Sequence, residues 1–167
     1  MVVAEDRTFE RVVAGMIGLA LVLFAIGWAT RKDPAETPPI VIAGGGFIFN
    51  YRVAEVFYGF TALVAKPLPT GVVLRAEFED PAGGLPLVVT KRLSARSSRY
   101  GMQSPLVRGI EAGRPYHVHI ALMDRTETET LWQAERSYIS PISDAIVPDK
   151  PLTIGPGYHR NPALNTD

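Results

Sequence analysis

Cysteine is absent from the 167 residues. That excludes disulfides, cysteine-ligated zinc sites and thiol chemistry, and it removes the acceptor for a bacterial lipoprotein anchor. A net charge bias is also lacking, since 17 Lys and Arg balance 17 Asp and Glu. The chain as a whole therefore offers no electrostatic attraction to nucleic acid. The common enzyme signatures are missing too: there is no P-loop, no HExxH, no GxSxG and no dinucleotide fingerprint. Gly44-Gly45-Gly46 lacks the spacing of such a fingerprint, and no helical pattern follows it. These absences lead to the expectation of a non-catalytic protein without a cofactor.

What is present begins with an uncharged run, Val12 to Thr30. As a helix of 19 residues at about 1.5 Å each, it approaches the ~30 Å hydrocarbon thickness of a bilayer. Arg7, Glu10 and Arg11 precede it, and Arg31, Lys32 and Asp33 follow it. Trp28 stands at one end, where interfacial aromatics concentrate. No polar stripe marks it as the core helix of a soluble domain. A cleavable signal peptide is the rival reading, with Gly27-Trp28-Ala29 as its cleavage site. The length of the run and the acidic residues Glu5, Asp6 and Glu10 speak against it. The expectation is a single-pass anchor in the cell membrane. Arg7 and Arg11 against Arg31 and Lys32 tie in the positive-inside count. The domain after the helix is expected on the periplasmic or other extracytoplasmic side, as uncleaved signal-anchors usually deliver their larger part. Ala14 with Gly18, and Ala25 with Ala29, are small-xxx-small pairs that let helices approach closely.

Five segments follow from this reading: an N-terminal tail over 1–11, a transmembrane helix over 12–30, a linker over 31–45, a β-sandwich over 46–142, and a Pro-rich irregular tail over 143–167. Within 46–142, alternating apolar and polar residues recur between Gly- and Pro-rich turns. The runs are Phe47–Val53, Phe57–Ala65, Val72–Phe78, Leu85–Leu93, a weaker one within Tyr100–Ile110, Tyr116–Met123 and Leu131–Ser140. About seven strands without a helical period predict an all-β, antiparallel sandwich. Pro86 suggests an edge or a strand start.

Leu106–Leu122, LVRGIEAGRPYHVHIAL, resembles the E–F corner of fibronectin type III and immunoglobulin-like domains. There a Gly/Pro turn precedes a Tyr, and alternating strand residues follow. The resemblance implies that Tyr116 takes the corner position and that Val118, Ile120 and Leu122 face inward. It extends to the fold and not to a function.

Four features carry candidate chemistry. His117 and His119 project from one face of a predicted strand together with Met123, a pattern suited to copper or zinc, with Met102 or His159 as a third ligand. Solvent-facing histidines are the plainer reading. Between Asp80 and Glu111 there is no acidic residue, while Lys91, Arg92, Arg96, Arg99 and Arg108 fall there. TKRLSARSSR is expected to form a basic hairpin that meets anionic lipid headgroups or an acidic partner, unless Glu77, Glu79 and Asp80 neutralise it. Phe57, Tyr58 and Phe60 form an apolar cluster that suggests a covered face on the domain. Asp124–Glu129 is an acidic turn whose spacing matches no calcium loop. The expected partners are the membrane, through one helix, and other subunits of a membrane complex.

Overall fold

The computed structural model describes residues 3–31 and 37–164. Lys32, Asp33 and Pro34, with the rest of 32–36, lie outside the described residues, as do the first two and the last three. The side chains of residues 3–8, including Glu5, Asp6 and Arg7, lie outside them as well. The chain divides into two compact units at the Thr37–Pro38 boundary.

The first unit is one helix, α1, Val3–Ala29. Its apolar part, Phe9–Ala29, is long enough to cross a membrane, and none of it is buried within the protein. The helix begins earlier than the uncharged run because charged residues such as Glu and Arg carry little helix-propensity cost. It ends where the Thr30 hydroxyl turns back onto the Ile26 carbonyl at 2.8 Å.

The second unit is a sandwich-like pair of antiparallel sheets. Its strands are β1 (Ile40–Asn50), β2 (Glu55–Val64), β3 (Val73–Phe78), β4 (Leu87–Arg92), β5 (Arg99–Gln103), β6 (Pro115–Met123) and β7 (Thr130–Ile139). One sheet has the order β1-β2-β5 and the other β4-β3-β6-β7. Pro86 immediately precedes β4, which is an edge strand, so no sheet hydrogen bond is lost to it.

Period-two alternation decides what lies between the sheets. Val56, Tyr58, Phe60 and Ala62 of β2 meet Leu74, Ala76 and Phe78 of β3 and Tyr116, Val118, Ile120 and Leu122 of β6, all buried. Rings tie the layers together: Tyr58 lies edge-on to Phe78 at 5.1 Å, and Phe47 edge-on to Tyr116 at 5.5 Å. Such pairs add to the stabilisation from buried area. The Tyr58 hydroxyl donates to the Glu79 carbonyl at 2.5 Å, and burial pushes that phenol's pKa upward. The Tyr116 hydroxyl accepts from the Glu111 backbone N–H at 2.8 Å. It thereby pins the 104–114 connection to the strand that follows.

Three expectations need correction. The linker read over 31–45 gives way to β1 from Ile40, which is buried in the core and pairs with Val64. A register shift between Ile42 and Gly44 hides its alternation, and three glycines imitate a flexible joint. The TKRLSARSSR segment is not a hairpin: β4 and β5 belong to different sheets, and 93–98 crosses between them. The tail over 143–167 is not wholly irregular. Two 3₁₀ turns form, Asp144–Ile146, after which Val147 is buried against the core, and Pro162–Leu164; between them β8 (Thr153–Ile154) pairs with β9 (His159–Arg160).

Candidate functional surfaces

The strand pairings sort the loops of the β unit between its two ends. The 65–72, 93–98 and 124–129 loops share one end with Pro38 and Pro39, where the chain enters the sheets. Ala65 N–H donates to the Pro39 carbonyl at 2.9 Å there. The 51–54, 79–86 and 104–114 segments share the opposite end.

The entry end holds a cavity of about 530 Å³ between the 65–72 and 93–98 loops. Its walls are built from backbone constraints. Pro67 and Pro69 stiffen one loop. In the other, Tyr100 Oη accepts from Ser94 N–H at 2.7 Å and donates to the Ser94 carbonyl at 2.8 Å. Lys66 and Arg96 supply positive charge to the lining, and Thr70, Ser94, Ser97 and Ser98 supply hydroxyls; among the described residues no carboxylate lines it.

The basic run divides by role. Lys91 Nζ donates to the Gly101 carbonyl at 3.0 Å, bridging the two sheets. Arg92 donates to the Gly71 carbonyl at 2.8 Å and meets Glu127 at 4.0 Å. Among the described residues, Arg96 and Arg99 have no ion-pair partner. The acids expected to neutralise the run are engaged elsewhere: Glu77 pairs with Arg75, Glu79 with Arg114, and Asp80 accepts from the Ala82 N–H.

The aromatic cluster also divides. Tyr58 and Phe60 are buried in the core, so they are withdrawn as surface residues; the two-residue period turns only Phe57 outward. Phe57 pairs with Ile48 on the outer face of the three-stranded sheet. Beside them lies a shallow groove of about 310 Å³ whose lining includes Gly44, Gly46, Gly59, Gly101 and Thr61. At Gly44, Gly46 and Gly101 a Cβ would meet open space, whereas at Gly45 it would strike the Gly59 carbonyl and the Tyr138 ring. At Gly59 it would strike the Met102 carbonyl, so Gly45 and Gly59 are packing requirements, and the floor left bare by Gly44, Gly46 and Gly101 is open.

His117 and His119 share the outer face of the four-stranded sheet with Met123, and Val118 and Ile120 point into the core. Glu77 and Glu135 flank His119 in register, and both histidines line a hollow of about 230 Å³ with Glu79. Among the described residues, however, no three His, Asp or Glu side chains group as a metal site. Met123 sulfur instead accepts from the Thr130 hydroxyl at 3.4 Å. Met102 is corrected as a third ligand: it is buried in the other sheet. His159 is exposed on β9.

Asp124 closes its own turn. Its carboxylate accepts from the N–H groups of Thr128 and Glu129 at 2.7 and 2.9 Å, and from the Thr126 N–H and hydroxyl. Hydrogen bonding from the Glu129 backbone, then from the Thr126 side chain, holds its pKa below the usual carboxylate range.

In α1, Ala14, Gly18, Ala25 and Ala29 fall within an arc of roughly 60° at about 100° per residue, so the two small pairs share one stripe. That stripe is exposed along its length.

Sequence reasoning missed the contribution of Lys66, Thr70 and the serines to the cavity at the entry end. The pairing of Val64 with Ile40 brings the 65–72 loop beside the incoming chain, and that of Leu63 with Arg99 brings the 93–98 loop there. It also missed the glycine floor, because Gly46, Gly59 and Gly101 become neighbours only through strand register. No known family model matches the chain, and no curated protein matches it.

Proposed function

We propose that this protein is a membrane-anchored, non-catalytic interaction module, an accessory or assembly subunit of a larger membrane complex. The observation that carries the reading is the apolar stretch Phe9–Ala29, none of which the protein buries. Apolar surface of that extent requires lipid or other helices around it. The stripe through Ala14, Gly18, Ala25 and Ala29 is the face for a neighbouring helix. The bare groove beside Phe57 and Ile48 is a second contact surface, on the domain.

The domain itself is read as a fibronectin type III or immunoglobulin-like sandwich. Supporting this are the division of seven strands into three and four, with connections crossing between sheets, and the Tyr116 hydroxyl bonded back to Glu111. The domain is assigned to the extracytoplasmic side, on the signal-anchor argument.

The test is copurification of the tagged full chain after extraction in gentle detergent. Stoichiometric partners that are lost on Gly18→Leu support the reading. A chain that elutes alone overturns it. A copper or zinc site at His117 and His119 is the second reading, favoured by the hollow they share with Glu77, Glu79 and Glu135. It requires tight metal binding that disappears in His117→Ala/His119→Ala.

A further inference from the structure

We propose that the cavity between the 65–72 and 93–98 loops binds the phosphate of an anionic phospholipid headgroup, with Arg96 and Lys66 as its cations. The inference rests on the membrane-anchor reading of α1 and gives the domain a lipid contact of its own.

Three observations converge on this cavity. The first is its charge: among the described residues, two cations and several hydroxyls line it and no carboxylate does. Phosphate is a strong acceptor, and an arginine fork with nearby hydroxyl donors suits it. Among the described residues Arg96 has no ion-pair partner, so an anion that meets its guanidinium displaces no salt bridge of that residue.

The second is preorganisation. The 93–98 loop is tied at several points. Leu93 N–H donates to the Val72 carbonyl at 2.8 Å, Ser97 N–H to the Ser94 carbonyl at 3.2 Å, and Val64 N–H to the Ser98 carbonyl at 2.9 Å. The hydroxyl of Tyr100, a largely buried residue, holds Ser94 from below. Little ordering cost therefore remains on binding. The volume, about 530 Å³, lies within the range of small-ligand sites.

The third is position. The chain enters the sheets through Pro38 and Pro39 at this same end. Only eight residues, 30–37, separate α1 from that entry. A chain anchored by α1 therefore tethers the domain by the end that carries the cavity. Anionic lipid is the phosphate source that a membrane anchor supplies at high local concentration.

The experiment is native mass spectrometry of the full-length protein in neutral detergent, equilibrated with equal amounts of phosphatidylglycerol and phosphatidylcholine. The expected result is preferential retention of phosphatidylglycerol. Arg96→Ala should weaken that preference about fivefold, the value of one basic charge near an anionic surface. Arg96→Lys should keep most of it. Arg160→Ala, on β9 away from the entry end, should leave it unchanged. Lipid held by the helix alone is common to all four proteins and cancels in the comparison. Equal retention of the two lipids, or a preference that survives both Arg96→Ala and Lys66→Ala, overturns the proposal. Displacement of the lipid by an equal concentration of glycerol phosphate also overturns it, because the cavity would then serve a soluble phosphate compound. Carbonate-washed membranes separate the two levels of failure. A chain that stays in the membrane but shows no lipid preference refutes only the headgroup site. A chain released without α1 refutes the anchor, and the headgroup site falls with it.

Discussion

Tyr116→Phe is the substitution on which the fold makes its sharpest prediction. It removes one oxygen and keeps the ring, so the edge-on contact with Phe47 and the stacking of Arg114 at 4.8 Å both survive. What disappears is the hydrogen bond from the Glu111 N–H, 2.8 Å long. The second contact, to the Gly109 carbonyl at 3.5 Å, is too long to contribute much. A net hydrogen bond is worth about 0.5–1.5 kcal/mol, and stranding a buried donor costs more. Glu111 itself is exposed, so water can reach part of the loss. The expected destabilisation is about 1–1.5 kcal/mol, or roughly 3–5 °C in Tm for a domain of this size. Tyr138→Phe is the internal control. Among the described residues its buried hydroxyl has no hydrogen-bond partner, and burial pushes its phenol pKa upward. Deleting that oxygen removes a desolvation cost, so the expected change is nil or a stabilisation of up to about 1 kcal/mol. The assay is urea unfolding of the full chain in mild detergent in a Trp28→Phe background. Trp132 is then the sole tryptophan, and it packs against the core. Equal losses for the two substitutions, or a neutral Tyr116→Phe, would refute the claim that the Tyr116 hydroxyl secures this corner.

Gly45→Ala places a methyl against the Gly59 carbonyl and the Tyr138 ring, so it should lower stability by about 1–3 kcal/mol in the same assay. Gly46→Leu should leave the unfolding midpoint within about 0.5 kcal/mol while weakening partner copurification, because it fills only the open groove. Asp124→Asn should speed hydrogen exchange at the Thr128 and Glu129 amides, which donate to that carboxylate. The folded-state pKa of Asp124 is depressed, so its contribution is complete above the unfolded value of about 4 and is lost as pH falls through the lower folded value. The difference between wild type and Asp124→Asn should therefore hold from pH 7 to about 5 and shrink under strong acid. Isothermal titration with zinc or copper should give the same weak binding for wild type and His117→Ala/His119→Ala, since no third ligand groups with the two imidazoles among the described residues. Tight binding confined to wild type would favour the metal reading instead.

Legibility followed the strength of the local pattern. Val12–Thr30 was readable because an uncharged run of that length has few alternatives in water. Val72–Phe78 and Tyr116–Met123 were readable because strict alternation puts one set of residues in the core. β1 was not, because its bulge and glycines break the period, and its register is set by β2 rather than by its own residues. Tyr58 and Phe60 looked like surface aromatics because three apolar side chains within four positions conceal which way each one points. Their burial becomes visible only when β3 and β6 pack opposite them. The basic run was legible as composition but not as geometry. The crossing of 93–98 between sheets separates Lys91 and Arg92, which serve backbone carbonyls, from Arg96 at the cavity. Lys66 could not have been joined to Arg96 without knowing which loops share an end.

The central claim is that α1 stays attached and holds the protein in a membrane. Intact-mass measurement of the protein from carbonate-washed membranes tests it most directly. The account predicts a membrane-bound chain that still contains Phe9–Ala29. A soluble chain whose mass begins at or near Thr30 would contradict it.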